Sequence, residues 1–132
     1  MQYFLLVLLA ALLFVLTACV SAKKQENKVS YTRISQEEAK EMMARDDGHV
    51  IVDVRRQDEY DAGHIPGAIL IPNETIGVDS PEALPDYDQI ILVYCRSGNR
   101  SKQASEKLAA MGYKNVYEFG GINSWTGEIV TD

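Results

Sequence analysis

Cysteine is scarce in this chain, and the scarcity limits the covalent bonds that the chain can make. Its 132 residues include two cysteines, Cys19 near the N-terminus and Cys95 in the body of the sequence. The residues after Cys19 therefore cannot form a disulfide among themselves, although exported proteins often use disulfides. A single remaining thiol is either buried and inert or reactive.

Positive charge is also in short supply. The 13 lysines and arginines are outnumbered by 19 aspartates and glutamates, which gives a net charge of −6. No basic cluster offsets this acidity, and a nucleic-acid partner would require one. The same balance disfavours electrostatic adsorption to an anionic lipid surface.

Long apolar runs are lacking except at the N-terminus, where no charged residue occurs between Tyr3 and Cys19. This run has about the length of the apolar core of a signal peptide and is short for a spanning helix. No lysine or arginine precedes it. Its end, Leu16-Thr17-Ala18-Cys19, resembles the bacterial lipobox, in which a lipid is attached to the cysteine and the chain is cut just before it.

We therefore predict a signal peptide at residues 1–18, a lipidated Cys19 and a polar tether at residues 19–30, followed by a domain at residues 31–132. The expected location is extracytoplasmic, with the protein anchored to the bacterial cell membrane by the lipid. Residues 1–18 carry no charged side chain, so the processed protein keeps the net charge of −6. An ordinary cleaved signal peptide and an uncleaved membrane anchor are the alternatives.

Short apolar segments alternate with helical patterns along the predicted domain. Strand-like segments lie at residues 31–35, 50–54, 68–71, 90–94 and 116–119. Ser35 and Glu38 fit a capping box at the start of one helix, and a second helix is predicted at about residues 99–111. Apolar strands interleaved with helices predict an α/β domain with a parallel sheet. Residues 73–88 predict an irregular loop with room for one helical turn.

Cys95 directly follows the most apolar strand, and a helix begins within the next few residues. In α/β sheets, ligands bind at the carboxyl ends of the strands. The free N–H groups and the dipole at the start of the helix place partial positive charge beside the sulfur. Gly98 allows backbone angles that a side chain would forbid, and Arg96 and Arg100 add positive charge.

These features favour the thiolate form of Cys95 and also suit a bound anion. We therefore predict a nucleophilic thiolate that faces an anionic or sulfur-bearing substrate. The alternative is an inert, buried cysteine at a strand end, with both arginines in solvent.

Several motifs together resemble the rhodanese family. They are the loop Cys95-Arg96-Ser97-Gly98-Asn99-Arg100-Ser101, an upstream block of Asp53-Val54-Arg55, Glu59-Tyr60, Gly63-His64-Ile65-Pro66-Gly67-Ala68 and Ile71-Pro72, the pair Leu84-Pro85, and the segment Gly120-Gly121-Ile122-Asn123-Ser124-Trp125. The resemblance runs in order from about Tyr31 to Asp132.

The resemblance implies a rhodanese-like α/β fold, with a central five-stranded parallel sheet and helices on both faces. It implies a sulfurtransferase in which Cys95 takes a sulfur from thiosulfate or a persulfide and passes it to cyanide or a thiol. The persulfide and the donor would be bound by Arg96, Ser97, Gly98, Asn99 and Arg100. No metal or other cofactor is implied, and a monomer is expected.

Some side chains near these motifs have open roles. Arg100 either orients an anionic donor, turns outward or pairs with an acid. Glu59 stands where some two-domain thiosulfate sulfurtransferases carry a basic residue, and it disfavours a dianion such as thiosulfate if it faces the pocket. Asp53 and Arg55 are interpreted as a structural ion pair, and His64 as structural rather than a base.

Three other functions compete with the sulfurtransferase. Rhodanese-fold phosphatases and arsenate reductases have five residues between the cysteine and the arginine, whereas four lie between Cys95 and Arg100, which fits an oxyanion poorly. A non-enzymatic or partner-dependent persulfide carrier is also open. So is a thiol redox module at the cell surface, although its resolving thiol would have to come from outside the domain.

Overall fold

The structure, a computed structural model, describes residues 30–132. The predicted signal peptide at residues 1–18, the lipidation site Cys19 and the tether before residue 30 lie outside the described residues and stay predictions. Within residues 30–132, no helix combines the length and the apolar character needed to cross a membrane.

Five parallel strands form one sheet in residues 30–132. They are β1 (Thr32–Arg33), β2 (Val50–Asp53), β3 (Ile69–Leu70), β4 (Ile90–Cys95) and β5 (Asn115–Gly121), in the spatial order β1-β5-β4-β2-β3. Strand β4 lies at the centre, and its apolar run follows from that place, because a central strand of a parallel sheet is covered on both faces. Each predicted strand is present, with bounds shifted by one or two residues.

The described residues form three α-helices, which are α1 (Gln36–Met43), α2 (Gln57–Ala62) and α3 (Asn99–Met111). Helix α3 has the predicted bounds. Helix α2 was not predicted, because six residues are too few for an apolar period and none of them is buried. The loop at residues 73–88 contains one 3-10 turn, Asn73–Thr75, and a second 3-10 turn, Ile122–Ser124, follows β5.

Helix α1 begins at the predicted capping box. The Glu38 N–H donates to Ser35 Oγ at 3.0 Å, and the Ser35 N–H donates to the Glu38 carboxylate at 3.0 Å. The two contacts satisfy donors that the first turn of a helix leaves free.

Helices cover both faces of the sheet. On one face, Ala39 of α1 packs in a cluster with Leu92 and Tyr94 of β4. On the other face, Ala104 and Leu108 of α3 pack in a cluster that includes alternate β4 side chains. The predicted fold class, a five-stranded parallel sheet with helices on both faces, is confirmed.

The register of the two central strands changes where the sheet reaches Cys95. Val93 pairs with Glu118, but Cys95 pairs with Gly121, so β5 contains one extra residue in this interval. Such a bulge bends the strand and re-aims its side chains. Here it brings the Gly120 N–H within 2.8 Å of Glu118 Oε1.

Candidate active site

Cys95 lies at the carboxyl end of the central strand, and it is buried. Its Sγ accepts a hydrogen bond from the Gly98 N–H at 3.0 Å. Gly98 is also the N-cap of α3, so the sulfur is held at the start of that helix. A backbone N–H and the positive end of a helix dipole both stabilise negative charge on a sulfur atom.

Two glycines allow the loop to close around the sulfur. Gly98 has a φ of 110°, in the region that favours glycine. Gly121 lies against the loop, where a Cβ atom would come within 2.0 Å of the Arg96 carbonyl oxygen. That oxygen accepts the Asn123 N–H at 3.1 Å, so the residues after β5 fix the position of the loop.

Sequence reasoning missed two buried polar residues beside the cysteine, Ser101 and Glu118. The Ser101 hydroxyl donates to Glu118 Oε1 at 2.7 Å and lies 3.3 Å from Cys95 Sγ. Glu118 Oε2 has no hydrogen-bond partner within residues 30–132. A signal was available in the sequence. Glu118 lies two residues after the buried Val116 in β5, and residues two apart in a strand face the same side of the sheet.

Arg100 is paired with an acid. Its Nη1 and Nη2 atoms donate to the two carboxylate oxygens of Glu59 at 2.7 and 3.0 Å. The Arg100 guanidinium, helped by the Arg56 N–H, lowers the pKa of Glu59 to about 2, and the same contact raises the pKa of Arg100. Glu59 does lie beside the site, but its charge is matched by Arg100.

Three other loop residues face outward. Arg96, Ser97 and Asn99 are exposed. Ser97 borders an open groove of about 500 Å³ that is also lined by Arg33 and Gln36. The exposed side of the loop is therefore the side from which a second molecule can reach it.

Asp53 and Arg55 form the ion pair that the sequence suggested. Arg55 Nη2 donates to Asp53 Oδ2 at 2.7 Å and to the Gly63 carbonyl oxygen at 2.6 Å. The Tyr94 hydroxyl also donates to Asp53 Oδ2 at 2.7 Å. Both charged side chains are buried and satisfied by protein groups, which supports the structural interpretation.

His64 belongs to a different cluster. Its ring stacks on Tyr60, with the ring centroids 3.8 Å apart, and its Nδ1 lies 3.0 Å from the Tyr60 carbonyl oxygen. Its Nε2 lies 3.2 Å from Asp132 Oδ1, and its backbone pairs with Val130. These contacts hold the C-terminal segment and support the interpretation of His64 as structural.

The fold and the site together define an α/β domain whose central parallel strand ends in a buried cysteine, held by a loop that opens a helix. Residues 30–132 contain no group of three or more His, Cys, Asp or Glu side chains placed to hold a metal ion. The chain belongs to the rhodanese-like family, because the family model described as a Rhodanese-like domain matches residues 35–128.

Three relatives are similar to this chain in sequence. The thiosulfate sulfurtransferase GlpE of Pseudomonas entomophila is 38% identical over 96 residues, which cover 72% of this chain and 84% of the relative. The thiosulfate sulfurtransferase PspE of Escherichia coli is 39% identical over 71 residues, covering 54% of this chain and 68% of the relative. YrkF of Bacillus subtilis is 36% identical over 104 residues, which cover 78% of this chain but only 55% of the relative.

Solved structures agree with the fold. A rhodanese from E. coli, determined with anions, has a TM-score of 0.59 and 34% identity, covering 64% of this chain and 99% of that one. A rhodanese-like domain protein from Staphylococcus aureus has a TM-score of 0.65 and 33% identity, covering 76% and 98% of the two chains.

Proposed function

We propose that this protein is a sulfurtransferase that moves a sulfane sulfur through a persulfide on Cys95. The position of the sulfur atom carries the proposal, because Cys95 Sγ is held at the start of α3 by the Gly98 N–H at 3.0 Å. Membership of the rhodanese-like family and two relatives named as thiosulfate sulfurtransferases support the same chemistry.

The first half of the reaction loads Cys95. Its thiolate attacks the outer sulfur of the donor, so that a bond forms between Sγ and that sulfur while the sulfur–sulfur bond of the donor breaks. The remnant leaves with the electron pair of the broken bond, as sulfite from thiosulfate or as a thiolate from a small persulfide.

The second half unloads Cys95. Cyanide or a thiolate attacks the outer sulfur, and Sγ departs as a thiolate. Transfer of one sulfur atom needs no external oxidant or reductant. The backbone N–H groups of residues 96–100 are the groups that we expect to hold the persulfide, with Arg96 and Asn99 on the exposed side for the donor.

The Arg100–Glu59 pair bears on the choice of donor. The Arg100 charge is matched by a carboxylate at 2.7 Å, and a guanidinium held in a bidentate contact is less available to a second anion. A persulfide, which carries less negative charge than the thiosulfate dianion, is therefore the donor that this site favours.

A second candidate is a persulfide carrier that loads or unloads on a protein partner. Cys95 is only 1% exposed, and this burial favours a partner that opens or covers the loop over free exchange with small molecules. The relative YrkF is provisionally named a sulfur carrier protein. A thiol redox role would require an outside thiol, because Cys95 is the free cysteine of residues 30–132.

We also propose that the domain is monomeric and held at the outer side of a bacterial membrane by a lipid on Cys19. The motif Leu16-Thr17-Ala18-Cys19 supports this anchoring. Metabolic labelling with a palmitate analogue is expected to mark the protein, and labelling that persists in Cys19→Ala would contradict the assignment.

Mass spectrometry of the 132-residue chain tests sulfur transfer. The protein carries Cys19→Ala, so that Cys95 is its single thiol, and is incubated in detergent with thiosulfate or with a small persulfide. A gain of about 32 Da on the peptide that contains Cys95, reversed by cyanide or a thiol, is the expected result. The Cys95→Ser variant is the control and is expected to gain nothing.

The comparison of the two donors separates the candidates. A larger gain with the small persulfide than with thiosulfate supports the favoured donor. A folded protein whose thiol titrates, but which gains no mass with either donor, contradicts the small-molecule enzyme and leaves the partner-dependent carrier.

A further inference from the structure

Glu118 is a buried carboxyl group that the proposed sulfur transfer does not use. Its side chain is fully buried, and its Oε2 has no hydrogen-bond partner in the described part of the chain. An ionised carboxylate is costly at such a place, because the oxygen has lost its water without gaining a donor. A neutral carboxylic acid costs less there, so Glu118 is suited to accept a proton.

One hydroxyl group connects Glu118 to Cys95. Ser101 Oγ lies 3.3 Å from Cys95 Sγ and 2.7 Å from Glu118 Oε1. The other acceptors near this hydroxyl are farther away, at 3.0 Å for the Gly98 carbonyl oxygen and 3.3 Å for that of Gly120. A hydroxyl can accept one proton while it donates another, so the three side chains form a continuous path for a proton.

We propose that Glu118 is the internal proton acceptor of Cys95 and that Ser101 relays the proton. The thiol proton passes to Ser101 Oγ while the Ser101 hydroxyl proton passes to Glu118 Oε1. The products are a Cys95 thiolate, a Ser101 hydroxyl that now donates to the sulfur, and a neutral Glu118. One negative charge moves from the carboxylate to the sulfur, and no proton enters or leaves the protein.

This role places Glu118 among the positioning residues, because it acts on the sulfur through Ser101. The inference rests on the proposed function, since a proton acceptor is needed only where Cys95 is a nucleophile. It also accounts for a carboxylate at a strand position that otherwise calls for an apolar side chain.

Charged groups lie at both ends of the path. From β1, Arg33 Nε lies 3.8 Å from Glu118 Oε2, and its side chain is mostly exposed. From α3, the Arg100 guanidinium is held by its carboxylate partner on α2. On β2, the charge of Asp53 is matched by its own arginine. Arg33 therefore favours the charge on Glu118, and the start of α3 favours it on the sulfur.

The ultraviolet absorbance of the thiolate, followed across pH, tests the proposal. The sample is the 132-residue chain with Cys19→Ala in detergent, with no sulfur donor, and Cys95→Ser supplies the blank. Glu118 and Cys95 share one negative charge after the first proton is lost, and both are ionised only after the second is lost. The thiolate absorbance is therefore expected to rise in two steps.

Two variants are titrated in the same way and compared with the Cys19→Ala protein. Glu118→Gln keeps an oxygen that accepts from Ser101 but cannot take up the proton, so a single step of the same total size is expected. Ser105→Ala removes another buried hydroxyl of α3, one without a hydrogen-bond partner in residues 30–132, and is expected to keep both steps.

Infrared spectroscopy with carbon-13-labelled glutamate gives a second readout that does not require Glu118→Gln to fold. The Cys19→Ala protein at neutral pH is expected to show the band of a neutral carboxylic acid. The band is expected to disappear in the additional Cys95→Ser variant, because a serine hydroxyl does not release its proton to a carboxylate.

A single-step titration in the Cys19→Ala protein, or the absence of a neutral-acid band, overturns the proposal. Neither measurement contains a sulfur donor, so their outcome is separate from that of sulfur loading. A two-step titration without a mass gain in the sulfur-loading experiment would support the relay and contradict the small-molecule enzyme. A mass gain with a one-step titration would support the enzyme and contradict the relay.

Discussion

Two buried acids, Asp53 and Glu118, lie on strands of the same sheet, and they differ in the number of hydrogen bonds that they accept. Asp53 on β2 accepts from the Arg55 backbone N–H, from the Arg55 guanidinium and from the Tyr94 hydroxyl. Glu118 on β5 accepts through Oε1 only, and its Oε2 lacks a hydrogen-bond partner within residues 30–132.

The difference separates a structural network from one suited to chemistry. A buried charge with all its partners is fixed in one protonation state and rigidifies its surroundings. A buried acid with an oxygen that no donor reaches is better suited to take up a proton, and Glu118 is the one connected to Cys95 through Ser101. Burial of an acid is therefore insufficient to assign its role, and the number of donors around it decides.

Breaking the Asp53 network is expected to have the largest effect on stability. Arg55→Ala leaves the Asp53 carboxylate buried without its cation, which costs about 3–5 kcal/mol in the free energy of unfolding. Urea denaturation measures this loss. The neighbouring Arg56→Ala removes an exposed arginine from a surface pair, and we expect it to change stability by less than about 1 kcal/mol. Similar values for the two variants would refute the structural role of the pair.

Breaking the Glu118 network is expected to cost less. Ser101→Ala removes the hydroxyl that lies between Glu118 Oε1 and Cys95 Sγ, and leaving a buried polar group without its partner costs about 1–3 kcal/mol. Ser105→Ala is the matched control on the same helix, and we expect little loss or a small gain, because alanine favours a helix and the Ser105 hydroxyl is unpartnered among the described residues. Equal losses in urea denaturation would show that the Ser101–Glu118 contact adds nothing.

Removing the charge of Glu59 from its pair with Arg100, at the partly exposed edge of the site, is expected to have the smallest effect on stability. The pKa of Glu59 is lowered to about 2, so its stabilisation is present above the unfolded value of about 4.3 and declines as pH falls toward 2. Glu59→Gln is therefore expected to cost about 1 kcal/mol at pH values above about 5. The gap between the two proteins should narrow at about pH 3 in urea denaturation, and a gap that stays constant would argue against this pair as its source.

Much of the fold followed from local patterns. Val50, Ile51 and Val52 predicted a buried strand because β-branched apolar side chains without alternation suit a sheet covered on both faces. The capping box at Ser35 and Glu38 located a helix start within one turn. Helix α2 escaped prediction because its N-cap, Arg56, makes no side-chain capping hydrogen bond and its six residues bury nothing.

The site was predictable only in part. The loop from Cys95 to Arg100 was recognisable because its glycine, its arginines and the following helix are adjacent in the sequence. The sequence allows three roles for Arg100, and the structure pairs it with Glu59. The contacts of Ser101 were not predictable, since a serine at the start of a helix carries no sign of what it contacts.

Local sequence patterns specify the alternation of strands and helices and the loop that holds the sulfur. These properties depend on residues within one or two turns of each other, where periodicity and capping act. The polar contacts of the site depend on the tertiary structure instead: Arg100 bonds to Glu59 across 41 positions, and Ser101 bonds to Glu118 across 17. Such contacts depend on strand order and on a one-residue bulge in β5, because a shift of one residue turns a side chain to the other face of the sheet.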